Sequence, residues 1–392
     1  MNLPLDAGEA LAVRGRMREV AAAVAGHVAD GEAGRRIPVE VIGILGESGC
    51  LGRTLPEEFG GAGAGLAAFA IQQEELAAVW PTAAVAATWA NLSGRLIARF
   101  GTDGQRARLL PGLLRGDGLG AIGWTEPHGG SDAAALRTTA RRVPGGWVID
   151  GTKRLIDNAA AAKFVIVGCR VVQDGGESAD PRHSLAMLVV QRDDPGFIYG
   201  GEYETLGLRA VGLGWFSLEN CFVPEDRLLG QVGRGFHQMM HMVEFGRTGV
   251  AAICLGICEA ALRTCVEFLP GRSAFGRSLA ANDALIARVA DMRTSLDAAR
   301  LLTERAAAMV DNGVLCAREA AMAKLFASEL ATEVTTAALH LHGGIGYTAQ
   351  TPVEMLLRDS HAFTIGEGTS EVMRLIIGRA EFAMAAGRAE AR

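Results

Sequence analysis

The sequence predicts an α+β fold that is mostly α, laid out as helices, then a small β domain, then helices again. Three observations carry this. Residues 1–120 are rich in Ala, Leu and Glu at helical spacing, and so is the stretch from about 229 to 392. Between them, residues 121–228 change texture to short β-branched runs separated by Gly, Pro and Asp. At 392 residues, 49% of them hydrophobic and 21% charged, the chain has the length of two or three domains and the apolar content to bury a large core.

Taken in order, the N-terminal part (1–120) reads as helices broken by the turn-like segments LPEEFGGAGAG (55–65) and FGTDGQ (100–105). Its opening residues carry acids and no apolar core, which argues against a signal peptide. Leu76 to Gly94 is uncharged over 19 residues, but Pro81, Thr82, Thr88, Asn91 and Ser93 favour a buried helix pair over a membrane span. In the middle part, WVIDG (147–151), FVIVGCRVV (164–172) and SLAMLVVQR (184–192) read as strands. After the turn signal at 223–236, Ala, Leu, Met and Glu return at i, i+3, i+4 spacing, which predicts long helices packed as a bundle.

Composition excludes several function classes. Thirty-eight Lys and Arg against 44 Asp and Glu give a formal net charge of −6 with no basic block, so nucleic acid is not an expected partner. The seven cysteines (Cys50, Cys169, Cys221, Cys254, Cys258, Cys265, Cys316) are odd in number and form no CxxC pair, which fits a reducing cytoplasm. Gly118 to Gly123 matches GxGxxG, but a β run follows where a dinucleotide fold needs a helix. His237 and His241 stand at i, i+4 with Glu244 a turn on; without the glutamate of HExxH they read as ordinary histidines, and no metal is expected.

Five segments in fixed order rise above this background. They are Trp124 to Asp132 (WTEPHGGSD), a Gly-rich polar loop able to offer N–H groups and hydroxyls to a polar ligand; Gly151 to Ala159 (GTKRLIDNA); Arg272 to Gly276 (RSAFG); Gly343 to Tyr347 (GGIGY); and Arg358-Asp359 followed by Ile365 to Glu371 (IGEGTSE). Together they resemble the acyl-CoA dehydrogenase family over nearly the whole chain. The resemblance implies an N-terminal helical domain, a middle β-barrel-like domain and a C-terminal four-helix bundle, assembled as a homotetramer with one FAD per subunit.

It further implies FAD-dependent α,β-dehydrogenation of an acyl thioester, on CoA or an acyl-carrier protein, with an electron-transfer flavoprotein or similar electron acceptor as partner. Glu367 is then the α-proton base; a carboxylate suits the task because burial beside an acyl chain raises its pKa. Some members carry the base just before the arginine matched by Arg247, where this chain has Gly246. By the same resemblance Ile122, Trp124, Thr125, Leu155 and Asp157 surround the flavin ring, and Ser131 contacts flavin phosphate or substrate. Arg272 and Phe275 reach a neighbouring subunit's FAD, whose adenine dinucleotide end also meets His340, Gly343 and Gly344. Thr369 and Glu371 return to their own subunit's FAD, while Glu244 and Arg247 touch the CoA part of the substrate.

Four positions depart from the common pattern: Leu155 stands for the ring-stacking aromatic, Asp157 for the hydroxyl near flavin N5, and His340 and Asp283 for glutamines. Gly366 replaces a bulky residue before the base and leaves room for a branched, cyclic or functionalised acyl group. These departures set the chain apart from an ordinary fatty-acid enzyme. A flavin monooxygenase or oxidase on the same scaffold, and a non-catalytic subunit of a hetero-oligomeric dehydrogenase, stay open as alternatives.

Overall fold

The computed structural model describes residues 5–172 and 181–390. Six helices come first: α1 (Ala7–Ala25), α2 (Val28–Gly34), α3 (Val39–Glu47), α4 (Leu66–Ala77), α5 (Pro81–Phe100) and α6 (Asp103–Arg115). Their starts are encoded locally. Asp6 and Glu9 form a capping box at α1, Pro81 opens α5 where its missing N–H costs nothing, and Thr102 and Gln105 box the start of α6. The uncharged stretch 76–94 is the end of α4 and most of α5, nearly all of it buried in protein.

Eight strands follow: β1 (Leu119–Gly123), β2 (Thr139–Val143), β3 (Gly146–Ile156), β4 (Ala162–Val172), β5 (Leu185–Gln191), β6 (Phe197–Glu202), β7 (Gly214–Pro224) and β8 (Leu228–Leu229). They form one sheet in the order β6-β7-β3-β2-β4-β5-β8, with β1 parallel to β4. The GxGxxG stretch is therefore strand β1, and no helix opens after it.

Both faces of β4 are covered, which explains its unbroken apolar run. Phe164 and Ile166 join the core shared with the helices, whereas Val165 and Val167 face a second core inside the β domain with Trp147, Leu188 and Phe216. Gln105 fastens α6 to this domain, its side-chain amide donating to the carbonyls of Asp226 (2.7 Å) and Leu228 (2.9 Å).

The C-terminal part comprises α7 (Gly235–Gly271), a hairpin of β9 (Ser273–Ala274) and β10 (Arg277–Ser278), then α8 (Asp283–Asp311), α9 (Ala317–His342), α10 (Val353–Ser360) and α11 (Ser370–Glu390). Helices α7, α8, α9 and α11 make the bundle, and α4 and α5 pack on α7 from the N-terminal domain. Helix α7 is long and apolar enough to cross a bilayer, but 78% of its most apolar window is buried. His237 and His241 project from its first turns into solvent, His241 edge-on to Phe100.

A buried Asp359 at the end of α10 ties bundle to β domain by accepting the Leu208 N–H at 2.6 Å. Burial pushes its carboxyl up to about 7.

Candidate functional site

Glu367 lies in the turn between α10 and α11, at φ +53°, followed by Gly368 at φ +91°. A glutamate in the left-handed region is uncommon and marks a held conformation. At Gly368 the positive φ is what calls for glycine; the nearest atom to a Cβ there, Met373 Cε at 2.6 Å, is the end of a flexible side chain.

The turn lays the Glu367 carboxylate on α7, over Gly246. A Cβ on Gly246 would come within 2.9 Å of Glu367 Oε1 and 3.2 Å of Oε2. The Glu367 carboxylate thus occupies the space that a side chain at position 246 would fill. Burial raises the Glu367 pKa above its ordinary value, and the charges of Arg247 and Lys324 oppose that rise. Arg247 is buried, and its Nε has no hydrogen-bond partner among the described residues. Glu244, one turn before it, accepts from the Cys316 thiol at 3.6 Å.

Across from the turn stands Asp157, just past the end of β3. Its carboxyl is pushed up to about 7, first by burial, then by the charge of Glu367; the Trp89 side chain on α5 hydrogen-bonds it and opposes the shift. Neighbouring Phe69 and Phe245 pack with ring centroids 4.8 Å apart, and the Arg95 guanidinium sits 4.4 Å over Phe245. Turn, α5, α7, α9 and the end of β3 therefore meet around two acids with an apolar wall behind them.

The ring-environment residues expected from the sequence come from two adjoining segments. The Arg154 N–H donates to the Thr125 carbonyl at 2.9 Å, and Lys153 Nζ to the Trp124 carbonyl at 3.3 Å, so 122–125 runs beside 153–157. Ile122 and Trp124 are buried, and the Trp124 indole N–H donates to the Ala133 carbonyl at 3.0 Å. Ser131 is exposed; its neighbour Gly130 abuts Thr125, where a Cβ would meet the Thr125 methyl at 3.1 Å.

Leu155 stands at φ +54° with 53% of its surface exposed, an apolar side chain uncovered beside the half-buried Asp157. An open apolar face beside the backbone groups of 122–125 and 153–157 fits a planar, polar-edged ring such as a flavin. Thr369 caps α11 by accepting the Val372 N–H at 3.3 Å, and the exposed Glu371 is held below its ordinary pKa by its own backbone N–H and the Thr369 hydroxyl.

Arg272, Phe275, His340, Gly343 and Gly344 are not brought to this cluster within one chain. They gather at the far end of the bundle, where Phe268 stacks on His342 at 4.4 Å. Arg272 is 25 residues along α7 from Arg247, roughly 38 Å at helical rise.

Family models match three consecutive parts of the chain: the N-terminal domain of acyl-CoA dehydrogenase at residues 8–117, its middle domain at 121–221 and its C-terminal domain at 233–382. This chain belongs to the acyl-CoA dehydrogenase family. An acyl-CoA dehydrogenase of Bacillus subtilis is 38% identical over 343 residues, covering 87% of this chain and 89% of that one. Butyryl-CoA dehydrogenase from Megasphaera elsdenii superposes with a TM-score of 0.91 at 30% identity, covering 97% of this chain and all of that one. A glutaryl-CoA dehydrogenase from Mycobacterium smegmatis, solved in complex with FADH2, gives 0.89 at 25% identity, over 96% and 95% of the two chains.

The α-β-α architecture expected from texture is thus the acyl-CoA dehydrogenase fold, and family membership makes the chain a flavoprotein oxidoreductase acting on CH–CH donors, with acyl-CoA dehydrogenation as its general activity.

Sequence reasoning did not find three residues of this site. Trp89 lay hidden in an apolar run. Lys153, fully buried, pairs with the buried Glu126 at 2.6 Å behind the Trp124 segment. Lys324, also fully buried, donates to the Gly368 carbonyl at 2.6 Å. The available signal for Lys324 was a charge amid the apolar and small residues of AAMAKLFAS on α9.

Proposed function

We propose that this protein is an FAD-dependent dehydrogenase of an acyl thioester, acyl-CoA or acyl-carrier protein, in which Glu367 removes the α-proton. What supports this best is the placement of the Glu367 carboxylate: half-buried, raised in pKa, and resting on a glycine that leaves the spot free for it. A base in that setting is poised nearer neutrality than a solvated glutamate, which suits proton abstraction from a weakly acidic carbon.

FAD, when bound, supplies the acceptor for the hydride leaving the β-carbon. Ile122, Trp124, Thr125, Leu155, Asp157, Thr369 and Glu371 would hold it, with Ser131 at its phosphate or at the substrate. Arg272, Phe275, His340, Gly343 and Gly344 would hold the cofactor of a neighbouring subunit in a homotetramer. Arg247 and Glu244 would meet the CoA portion. The Glu367 backbone N–H would polarise the thioester carbonyl as enolate charge develops.

At Gly366 a Cβ would meet only the Ala362 carbonyl oxygen, at 3.5 Å. That open volume beside the base supports a branched, cyclic or functionalised acyl group. An electron-transfer flavoprotein or equivalent acceptor would reoxidise the enzyme. Seven buried, unpaired cysteines suit a cytoplasmic setting.

Anaerobic flavin reduction by a panel of linear, branched and cyclic acyl-CoAs tests the assignment. Glu367→Gln is expected to keep FAD and acyl-CoA binding and to lose about 10²-fold or more in reduction rate. A wild-type rate in that variant overturns the base. Absence of reduction by any member of the panel, with oxygen-dependent turnover instead, would favour an oxidase or monooxygenase.

A further inference from the structure

We propose that Lys324 is the positioning residue of the base-bearing turn: its ammonium, buried inside the bundle, holds the Gly368 carbonyl and thereby keeps Glu367 over Gly246. The proposal rests on the reading of Glu367 as the base.

Two consecutive residues of the turn, Glu367 and Gly368, have positive φ. For the glutamate this conformation is costly and persists only where neighbours over-determine it. The neighbours supply two ties. On the C-terminal side, Thr369 caps α11 through Val372 N–H. On the Gly368 carbonyl itself, the tie is Lys324 Nζ at 2.6 Å.

A lysine with no exposed surface in the middle of a bundle helix is expensive to keep charged, and a purely packing role would be met better by leucine or methionine. The retained ammonium points to electrostatic work, and the carboxylate it serves is one residue from the carbonyl it holds.

The charged groups near the turn come from α7, α9, α11 and the end of β3; Glu371 on α11 and Glu329 on α9 lie near Lys324, with Arg374 of α11 beside both acids. Arg247 and Glu244 come from α7, Lys324 from α9 and Asp157 from the end of β3. Of these, Arg247 and Lys324 are the cations that favour ionised Glu367. Burial lowers the Lys324 pKa to about 8, so the ammonium stays mostly charged at pH 7, with the charge of Glu367 supporting it and that of Arg247 opposing it.

The test uses the FAD-loaded enzyme, with butyryl-CoA or whichever acyl-CoA of the panel reduces the wild type fastest, followed from pH 5.5 to 9. Lys324→Met removes both charge and donor. It is expected to cut the reduction rate about tenfold or more with the acyl-CoA dissociation constant little changed, and to move the acidic limb of the rate profile up by about one unit, because a nearby cation no longer favours the carboxylate.

Lys324→Gln keeps a donor without charge and should recover part of the rate while showing the same displaced limb. A limb that stays in place in the folded variants, at whatever rate, overturns the proposal and leaves Lys324 a structural residue; so does failure of both variants to fold. If Glu367→Gln is inactive while Lys324→Met matches wild type, the base stands and Lys324 alone falls. A fully active Glu367→Gln removes the ground for both.

Discussion

Asp157 and Glu367 are two half-buried acids facing one small space, and the ionised form of one discourages ionisation of the other. The Asp157 carboxyl, pushed up to about 7, keeps its proton in the folded protein over a range where the unfolded chain, near 4, has lost it. Stability from this group is therefore fully present below about pH 4 and is lost as pH rises through about 7. Asp157→Asn cannot titrate, so its melting temperature should fall less than the wild type's between pH 5 and 8; the buried Asp359 titrates alike in both proteins and cancels. Parallel melting profiles in the holoenzymes would show that Asp157 carries no such linkage. Glu367 and Asp157 were legible because each lies in a short motif read along the chain. Trp89 and Lys324 were not, because what makes them part of the site is approach in space across more than 40 residues of sequence, from helices whose pattern only reports an apolar face.

At the level of elements, the loop after β1 is closed by one carboxylate. Glu126 accepts the N–H groups of Arg137 (2.6 Å) and Thr138 (2.9 Å) and the Lys153 ammonium (2.6 Å), drawing the segment 126–138 against β3. Burial works against this charge, but the lysine and the two N–H donors together hold Glu126 below the usual carboxylate range. Lys153→Met would strand a buried carboxylate and should cost about 3–5 kcal/mol in denaturant unfolding, whereas Lys153→Met with Glu126→Gln should recover much of it. If the double variant is no more stable than the single one, the clamp is not the pair described. Strands β3, β4 and β5 could be read from their β-branched runs because apolar burial imposes that composition. The Lys153 side chain obeys the same alternation but breaks the polarity rule, which its ion pair with Glu126 and its hydrogen bond to the Trp124 carbonyl make tolerable.

Across the whole molecule, the far end of the bundle exposes large aromatic side chains beside an arginine. In the hairpin after α7, Phe275 and Gly276 form a two-residue turn with φ +50° and +77°, a geometry that normally calls for Asn-Gly. Phe275 is fully exposed there, and Tyr347, just past Gly343 and Gly344, is 82% exposed. A bulky aromatic held at positive φ and fully exposed is costly twice, in backbone strain and in hydrated apolar surface. Arg272, beside it, presents a planar pair of donors suited to a diphosphate. Arg272 lies roughly 38 Å from Arg247 along α7, too far to reach the site its own chain builds, which supports the proposal that this end meets a second subunit's cofactor. The wild type should then be an oligomer, expected as a tetramer, by light scattering. Arg272→Ala and Phe275→Ala should fold, since neither side chain is buried, yet lose FAD on dilution far faster than wild type, and subunit dissociation should accompany that loss. A wild-type monomer retaining tightly bound FAD, or an Arg272→Ala protein that stays a fully flavinylated oligomer, would show that the strained hairpin serves another purpose.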